Sequence, residues 1–278
     1  MERSLRRNGD WTNAVFMPPP IRTGRSVTPT RYTKAYARAH GLPAQELLAL
    51  RELTLFEGLE AEVQEQLARH ASLRTFAKNQ EIASAADMVS EFHFLVTGTA
   101  KVQLQTTGGR KKVVEIVRPG YNFDECMPMH AARQNLHVVA ISTARVLSIP
   151  KEVVQAALEA HPPLAMRFIR SMSQRMTQLM GELNSHIFDN AMQRFVRYIV
   201  CQLVPASQAD SSQAVTVTLP AGKAVVASRL SLSPEYFSRM LRQLETEHLI
   251  EIDNRSIAIP DLSRLISLYG PQASLRPL

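Results

Sequence analysis

The chain has 278 residues, a formal net charge of +7 and 45% hydrophobic residues. This length allows two modest domains with buried cores, and no apolar run reaches the roughly 18 residues that a membrane-spanning helix needs. The two cysteines, Cys126 and Cys201, are too few for a disulfide framework or a four-cysteine iron–sulfur cluster, so we expect a cytoplasmic protein without membrane contact.

Residues 1–45 carry most of the net positive charge. Residues 1–40 contain eight Lys or Arg against two Asp or Glu, a net +6, which leaves +1 for the rest of the chain. The segment also contains three consecutive prolines, Pro18 to Pro20, and shows no sustained hydrophobic period. We therefore predict a disordered basic extension. It either adds non-specific attraction to the phosphates of an anionic partner or is simply solvated.

Residues 46–160 change from a helical to a strand-like pattern. Over 46–72 the apolar residues have helical spacing, as in Leu47, Leu50 and Leu53. Short alternating or apolar runs then predict strands at 92–96, 101–104, 113–117, 137–141 and 146–149, separated by turns that contain Gly or Pro. Strands of this length and frequency indicate a compact antiparallel barrel or roll.

Residues 161–188 have the spacing of one long helix. Apolar side chains recur at alternating steps of three and four residues, and this seam comprises Ile169, Met172, Met176, Leu179, Leu183 and His186. We interpret the seam as a parallel dimer interface, with packing against the chain's own roll as the alternative. A break near 188–191 precedes further helical pattern.

Residues 222–247 have the length and spacing of a helix-turn-helix. A helix that contains Lys223 is predicted over 222–230, and a second helix over 234–247. Ser233 is suited to cap the second helix, with Pro234 at its first position, where a missing N–H costs nothing. Apolar residues give this helix one buried face. Its outward face then carries Glu235, Tyr236, Ser238, Arg239 and Arg242.

The outward residues have the chemistry of base readout. Arginine can donate two hydrogen bonds to guanine, and glutamate can accept one from cytosine. Glu235 and Arg239 share a helix face, so they are placed to read adjacent base pairs, and a plain surface ion pair is the alternative. Two short β-like runs around residues 253–255 predict a hairpin directly after the recognition helix, as in a winged helix.

From about residue 53 to 268 the chain resembles the Crp/Fnr family of bacterial regulators. "LFEGL" at 55–59, "FHFLVTGTAKV" at 92–102 and "VVEIVRPG" at 113–120 are similar to the family's cyclic-nucleotide-binding-type β-roll. "LSLSPEYFSRMLRQLETEHLIEI" at 230–252 is similar to its recognition helix and wing. The resemblance implies an α+β fold with a jelly-roll-like antiparallel β-roll, a long dimerisation helix and a C-terminal winged helix-turn-helix.

The resemblance also implies how DNA is read. In the Fnr-like branch a Glu-x-x-Ser-Arg pattern reads a TTGAT half-site, and Glu235, Ser238 and Arg239 match this pattern. The cAMP-responsive branch usually has an additional Arg before the Glu, where this chain has Pro234. We therefore expect an Fnr-like palindrome with half-sites about one helical turn apart.

The effector region departs from the well-known branches. Glu125 matches a ribose-binding Glu, but the phosphate-binding Arg-Ser pair is replaced by Gln134 and Asn135, with Arg133 one residue early. Without the bidentate guanidinium, cAMP is disfavoured. "SPEYFSRM" at 233–240 resembles the nitric-oxide-responsive regulators, some of which use haem, so the effector-pocket candidates are Glu125, Cys126, Met127, His130 and Arg133. Cys126 and His130 are the haem-ligand candidates. An unknown small ligand and no effector remain open.

The sequence thus predicts a DNA-binding regulator rather than an enzyme, because it has no Gly-rich phosphate loop, zinc-binding His pair or nucleophile elbow. The predicted segments are 1–45 extension, 46–160 β-roll, 161–188 dimerisation helix and 189–270 winged helix-turn-helix. The expected partners are palindromic double-stranded DNA, a second copy of the chain and RNA polymerase, with activation as the outcome by analogy. The alternatives are a haem-based NO or CO sensor of the same family and a nucleotide-binding adaptor without base readout.

Overall fold

The computed structural model describes residues 41, 43–84, 87–123, 135–203 and 214–270. Among these residues, one compact unit combines 43–172 with 218–241, and the other combines 173–217 with 242–270. Nearly all of the predicted extension over 1–45 lies outside the described residues. In the described ranges, no helix has the length and apolar character needed to cross a bilayer.

The first unit begins with short helices rather than one long helix. Helix α1 (Ala44–Arg51) and helix α2 (Ala61–His70) are separated by a 3₁₀ turn at Thr54–Phe56. Leu50 and Leu67 are almost fully buried, in agreement with the helical spacing of the sequence. The turn places Phe56 edge-on against Phe94 of the roll, with 5.1 Å between ring centroids.

The β-roll consists of two antiparallel sheets, as predicted. A three-stranded sheet has the order β1-β7-β3, and a four-stranded sheet has the order β2-β6-β4-β5. The strands are β1 (Ser72–Phe76), β2 (Glu81–Ser84), β3 (Glu91–Thr97), β4 (Ala100–Gln105), β5 (Lys111–Val117), β6 (Leu136–Ala140) and β7 (Ala144–Pro150), and a one-turn helix α3 (Asp87–Ser90) precedes β3. Strand β5 therefore forms one edge of the larger sheet.

Strand β3 is buried on both faces, which explains its nearly continuous apolar sequence. Phe92 and Phe94 belong to a core that the roll shares with the flanking helices, while Leu95 belongs to the core inside the roll. His93 also faces the interior and is fully buried. Its ring stacks on Phe123 at 5.7 Å between centroids, and its Nε2 lies 3.5 Å from a Glu91 carboxylate oxygen.

Two helices follow the roll. Helix α4 (Lys151–Ala160) buries Val154, and helix α5 (Pro162–Phe188) is a single helix of 27 residues. The ring of Phe168 on α5 packs edge-on against Phe92 at 5.8 Å between centroids. The long helix agrees closely with the predicted range 161–188.

The second unit contains a short helix with a defined start. Helix α6 (Ala191–Leu203) begins after Asn190, as the predicted break near 188–191 requires. The Asn190 side chain accepts a hydrogen bond from the Gln193 N–H at 3.0 Å, and the Gln193 side chain accepts one from the Asn190 N–H at 2.9 Å. This reciprocal pair satisfies two N–H groups that a helix start leaves unpaired.

The wing is a small antiparallel sheet. Strand β8 (Val215–Thr218) is followed in sequence by two helices, then by strands β9 (Glu251–Asp253) and β10 (Ser256–Ile259), and the sheet order is β8-β10-β9. Asn254, in the tight turn between β9 and β10, has φ of 55°, a conformation that Asn tolerates better than most residues. Helix α9 (Leu262–Tyr269) follows and is capped by Asp261. The predicted hairpin is therefore confirmed.

Candidate nucleic-acid interface

The predicted helix-turn-helix is present within residues 223–246. Helix α7 (Lys223–Arg229) leads through residues 230–233 into helix α8 (Pro234–Thr246), which is the recognition helix. Ala227 is fully buried, as expected for a small residue where the two helices approach closely. Its carbonyl accepts a hydrogen bond from the Leu232 N–H at 2.9 Å, which closes the turn.

The start of the recognition helix is fixed by the residues that the sequence indicated. The Ser233 hydroxyl accepts a hydrogen bond from the Tyr236 N–H at 3.2 Å, and Pro234 takes the first helical position. A serine cap of this kind contributes about 1 kcal/mol to helix stability. Ser231 has φ of 60°, a left-handed conformation that lets the chain turn sharply between the helices.

The recognition helix has one buried and one exposed face. Its buried residues are Phe237, Met240, Leu241 and Leu244. Its exposed residues are Glu235, Tyr236, Ser238, Arg239 and Arg242, so every predicted base-reading side chain on this helix is accessible. Lys223, at the start of α7, and the cap residue Ser233 are also exposed.

Arg239 is held by an aromatic ring rather than by a carboxylate. Its guanidinium carbon lies 5.2 Å from the centroid of the Tyr236 ring, a cation–π contact one helical turn away. A surface ion pair between Glu235 and Arg239 was the alternative interpretation of the sequence. The structure describes both residues, and they form no ion pair. Sequence analysis gave Tyr236 as a DNA-binding candidate but did not predict its contact with Arg239, although the i,i+3 spacing of the two residues was a usable signal.

The predicted dimer seam is exposed along most of α5. Ile169, Met176, Leu179 and Leu183 are each about half exposed, and Met172 packs partly against the core beside the roll. Sequence analysis missed four further exposed apolar side chains on the same helix: Met166, Met180, Ile187 and Phe188. His186 is exposed as well. This apolar stripe is therefore left uncovered by the described residues, as is typical of a helix that packs against another surface.

The effector-pocket candidates belong to a different part of the chain from the recognition helix and the seam. Glu125, Cys126, Met127, His130 and Arg133 all lie outside the described residues. Within the part of the chain that is described, no three His, Cys, Asp or Glu side chains are grouped to hold a metal ion. Burial raises the pKa of the Cys201 thiol to about 12, so this half-buried cysteine is protonated at neutral pH rather than a reactive thiolate.

Comparison with known proteins agrees with the geometry. Residues 73–161 match the cyclic nucleotide-binding domain, and residues 193–268 match the Crp-like helix-turn-helix domain. A global nitrogen regulator from Nostoc sp. is 26% identical over 193 residues, which cover 67% of this chain and 84% of the relative. An anaerobic regulatory protein from Haemophilus influenzae is 23% identical over 201 residues, which cover 69% of this chain and 74% of the relative.

The fold is shared with solved structures. A mutant of CooA from Carboxydothermus hydrogenoformans superposes with a TM-score of 0.63 at 14% identity, covering 77% of this chain and 92% of that chain. A β-roll joined to a winged helix-turn-helix defines a class of DNA-binding transcription regulators. The chain belongs to the Crp/Fnr family of these regulators.

Proposed function

We propose that this chain is a cytoplasmic, homodimeric regulator that reads an Fnr-like palindrome of two TTGAT half-sites. The observation that carries the proposal is the common exposed face of the recognition helix. Glu235, Ser238 and Arg239 stand three and four residues apart, so they project from one side of α8. The opposite side is buried, and the Ser233 cap fixes where the helix starts.

The three side chains take different parts in the proposed readout. Arg239 donates two hydrogen bonds to O6 and N7 of the half-site guanine, and Glu235 accepts one from N4 of a cytosine. Ser238 adds a contact that is compatible with either donor or acceptor groups on a base edge. Lys223, Ser233 and Arg242 contact phosphates, which position the helix without reading sequence, and Tyr236 takes part through its ring, which packs against Arg239.

A dimer supplies the symmetry that a palindrome requires. Two recognition helices related by a two-fold axis reach half-sites about one helical turn apart. The exposed apolar stripe of α5, which includes Met176, Leu179 and Leu183, supports a parallel pairing of two copies along this helix. In the proposed dimer, binding of the palindrome therefore depends on pairing along the α5 seam.

The test replaces one base-reading residue and one phosphate-contacting residue. Arg239→Ala is expected to weaken binding to a duplex with two inverted TTGAT half-sites by about 1–3 kcal/mol and to relax specificity at the guanine. Lys223→Ala is expected to weaken binding by about the same factor on every duplex, whatever its sequence. Titration of each variant against the palindrome and against single-base substitutions measures both effects. Equal losses for Arg239→Ala on every sequence would refute the base-reading role of Arg239.

The effector domain belongs to the same proposal. We propose a small effector other than cAMP, because Gln134 and Asn135 stand where a phosphate-binding Arg-Ser pair would be needed. A haem that senses NO or CO is the alternative, and it rests on Cys126 and His130, which lie outside the described residues. An absorbance spectrum of protein from haem-supplied cells, with and without NO, separates the two. Recruitment of RNA polymerase and activation follow from the family analogy.

A further inference from the structure

The edge strand β5 contacts the helix-turn-helix within one compact unit. The Val113 N–H donates a hydrogen bond to Ser228 Oγ at 3.1 Å. The Lys112 ammonium donates to Ser231 Oγ at 2.7 Å and also to the backbone carbonyl of Ser228. A cation is favoured at this position, because the carbonyl end of a helix carries partial negative charge. The edge of the β-roll is therefore fixed against the turn that precedes the recognition helix.

The hairpin turn before β5 is well defined and basic. The Thr106 N–H donates to the Arg110 carbonyl at 2.9 Å, and the Thr106 hydroxyl accepts from the Arg110 N–H at 3.2 Å. Arg110, Lys111 and Lys112 then follow one another, and no acidic residue occurs between Thr106 and Lys112. The turn thus holds three consecutive cations at the edge that contacts the helix-turn-helix.

Two of these cations are accessible. Arg110 and Lys111 are exposed, and among the described residues neither is paired with a carboxylate. Nearby on β4, the pKa of Lys101 is lowered by partial burial and, to a smaller extent, by repulsion from Lys111. The described residues therefore do not neutralise the charge of Arg110 and Lys111, which is accessible to an anionic partner.

We propose that Arg110 and Lys111 bind DNA phosphates beside the recognition helix, so that the β-roll itself forms part of the DNA-binding surface. Ser231, which Lys112 contacts, lies two residues before the Ser233 cap. The start of a recognition helix enters the major groove, which is bordered by phosphates. Strand residues rise about 3.3 Å each, so Arg110 lies within about 7 Å of Lys112 along the backbone. The proposal rests on DNA binding by the helix-turn-helix.

The test removes the two exposed charges from the full-length protein. The variant is R110Q/K111Q, and the control R69Q/K78Q removes the same number of exposed charges elsewhere in the unit. Lys78 precedes β2, which is the opposite edge of the sheet from β5. Binding to a 30-base-pair palindromic duplex and to a random duplex is measured by fluorescence anisotropy over a salt series. Thermal melting verifies that each variant is folded.

The expected result is a change in salt dependence. The slope of log affinity against log salt should become shallower by about 0.9 for each phosphate contact that R110Q/K111Q loses. At low salt its Kd should rise by about tenfold on both duplexes, while R69Q/K78Q stays within about twofold of the wild type. Loss on both duplexes is required, because phosphate contacts carry no sequence information.

Three outcomes would overturn the proposal. An R110Q/K111Q variant with the slope and affinity of the control would show that the hairpin does not contact DNA. The same binding result together with a loss of transcription in a reconstituted system would assign the hairpin to a protein partner instead. If Arg239→Ala still lost discrimination in either case, base readout would stand although the hairpin proposal failed. A wild-type protein that bound neither duplex would refute both.

Discussion

At the scale of single residues, the partner of Arg239 determines how well the recognition helix is prepared for DNA. Because the Tyr236 ring contacts the guanidinium, Arg239 would lose fewer conformations in the base contact that we propose for it. An exposed cation–π contact contributes about 0.5–1 kcal/mol. Glu235 is left unpaired by Arg239, so its carboxylate is available to accept a hydrogen bond from a base.

We therefore expect Tyr236→Ala to weaken binding to the palindrome by about two- to fivefold. Tyr236→Phe, which keeps the ring, is the matched control and should bind nearly as well as the wild type. Titrations on one labelled palindromic duplex measure both variants. If Tyr236→Phe weakened binding as much as Tyr236→Ala, the tyrosine hydroxyl rather than its ring would be the important group, through a phosphate contact.

Residue contacts were predictable only where they are local. The Ser233 cap and the position of Pro234 follow from spacing within one helix start, and the structure confirms both. The bonds from Lys112 to Ser228 and Ser231 join residues more than a hundred positions apart. No sequence period connects such residues, because their meeting depends on how the folded elements are arranged. The basic hairpin was therefore visible as a charge run but not as a neighbour of the helix-turn-helix.

At the scale of elements, α5 shows how an apolar period can serve two surfaces. Near its start Leu164 and Phe168 are buried in the core beside the roll, and Met172 is partly buried there. Beyond this point the same period continues with Met176 and Leu183 exposed. The apolar stripe of α5 thus extends beyond the core formed by the described residues, and in the dimer that we propose a second copy of α5 presents the same stripe.

We expect Leu179→Asp to convert the dimer to monomers, because it places a charge in the middle of the apolar seam. The dimer dissociation constant should rise by at least about a hundredfold, equivalent to roughly 3 kcal/mol. Light scattering at micromolar concentration measures the change. Thr177→Asp adds the same charge at an exposed position of α5 off the seam and should leave the dimer intact. A Leu179→Asp protein that remained dimeric would refute the seam.

The strands of the roll differ in how readily their sequences reveal them. Strands β3 and β5 were predicted because their apolar residues alternate or run together within clear turns. Strands β1 and β2 were missed. Strand β1 has only Phe76 buried, and β2 is four residues long, so neither has a period that stands out. Helix α4 was missed as well, since it buries only Val154. Such elements are stabilised by their neighbours rather than by their own pattern.

At the scale of the whole molecule, the charge is distributed unevenly. Residues 1–40 carry +6 of the net +7, so the rest of the chain is almost neutral and its attraction to DNA must come from local groups. Among the described residues, Lys223, Arg242 and the hairpin cations Arg110 and Lys111 are exposed, and we propose that they supply this attraction. The N-terminal segment either adds an attraction of a different kind, which is non-specific and acts equally on every duplex, or is simply solvated.

Deletion of residues 1–40 tests this division. The fold should be retained, because α1 begins at Ala44 and its buried residues, such as Leu47 and Leu50, remain. Affinity for the palindrome and for random DNA should fall by the same factor, with a slightly shallower salt slope, so the ratio of the two affinities stays constant. R110Q/K111Q is a useful comparison, since it removes two structured charges instead of a net six. A changed affinity ratio would mean that the N-terminal segment reads DNA directly, and a protein that failed to fold would mean that this segment packs against the rest of the chain.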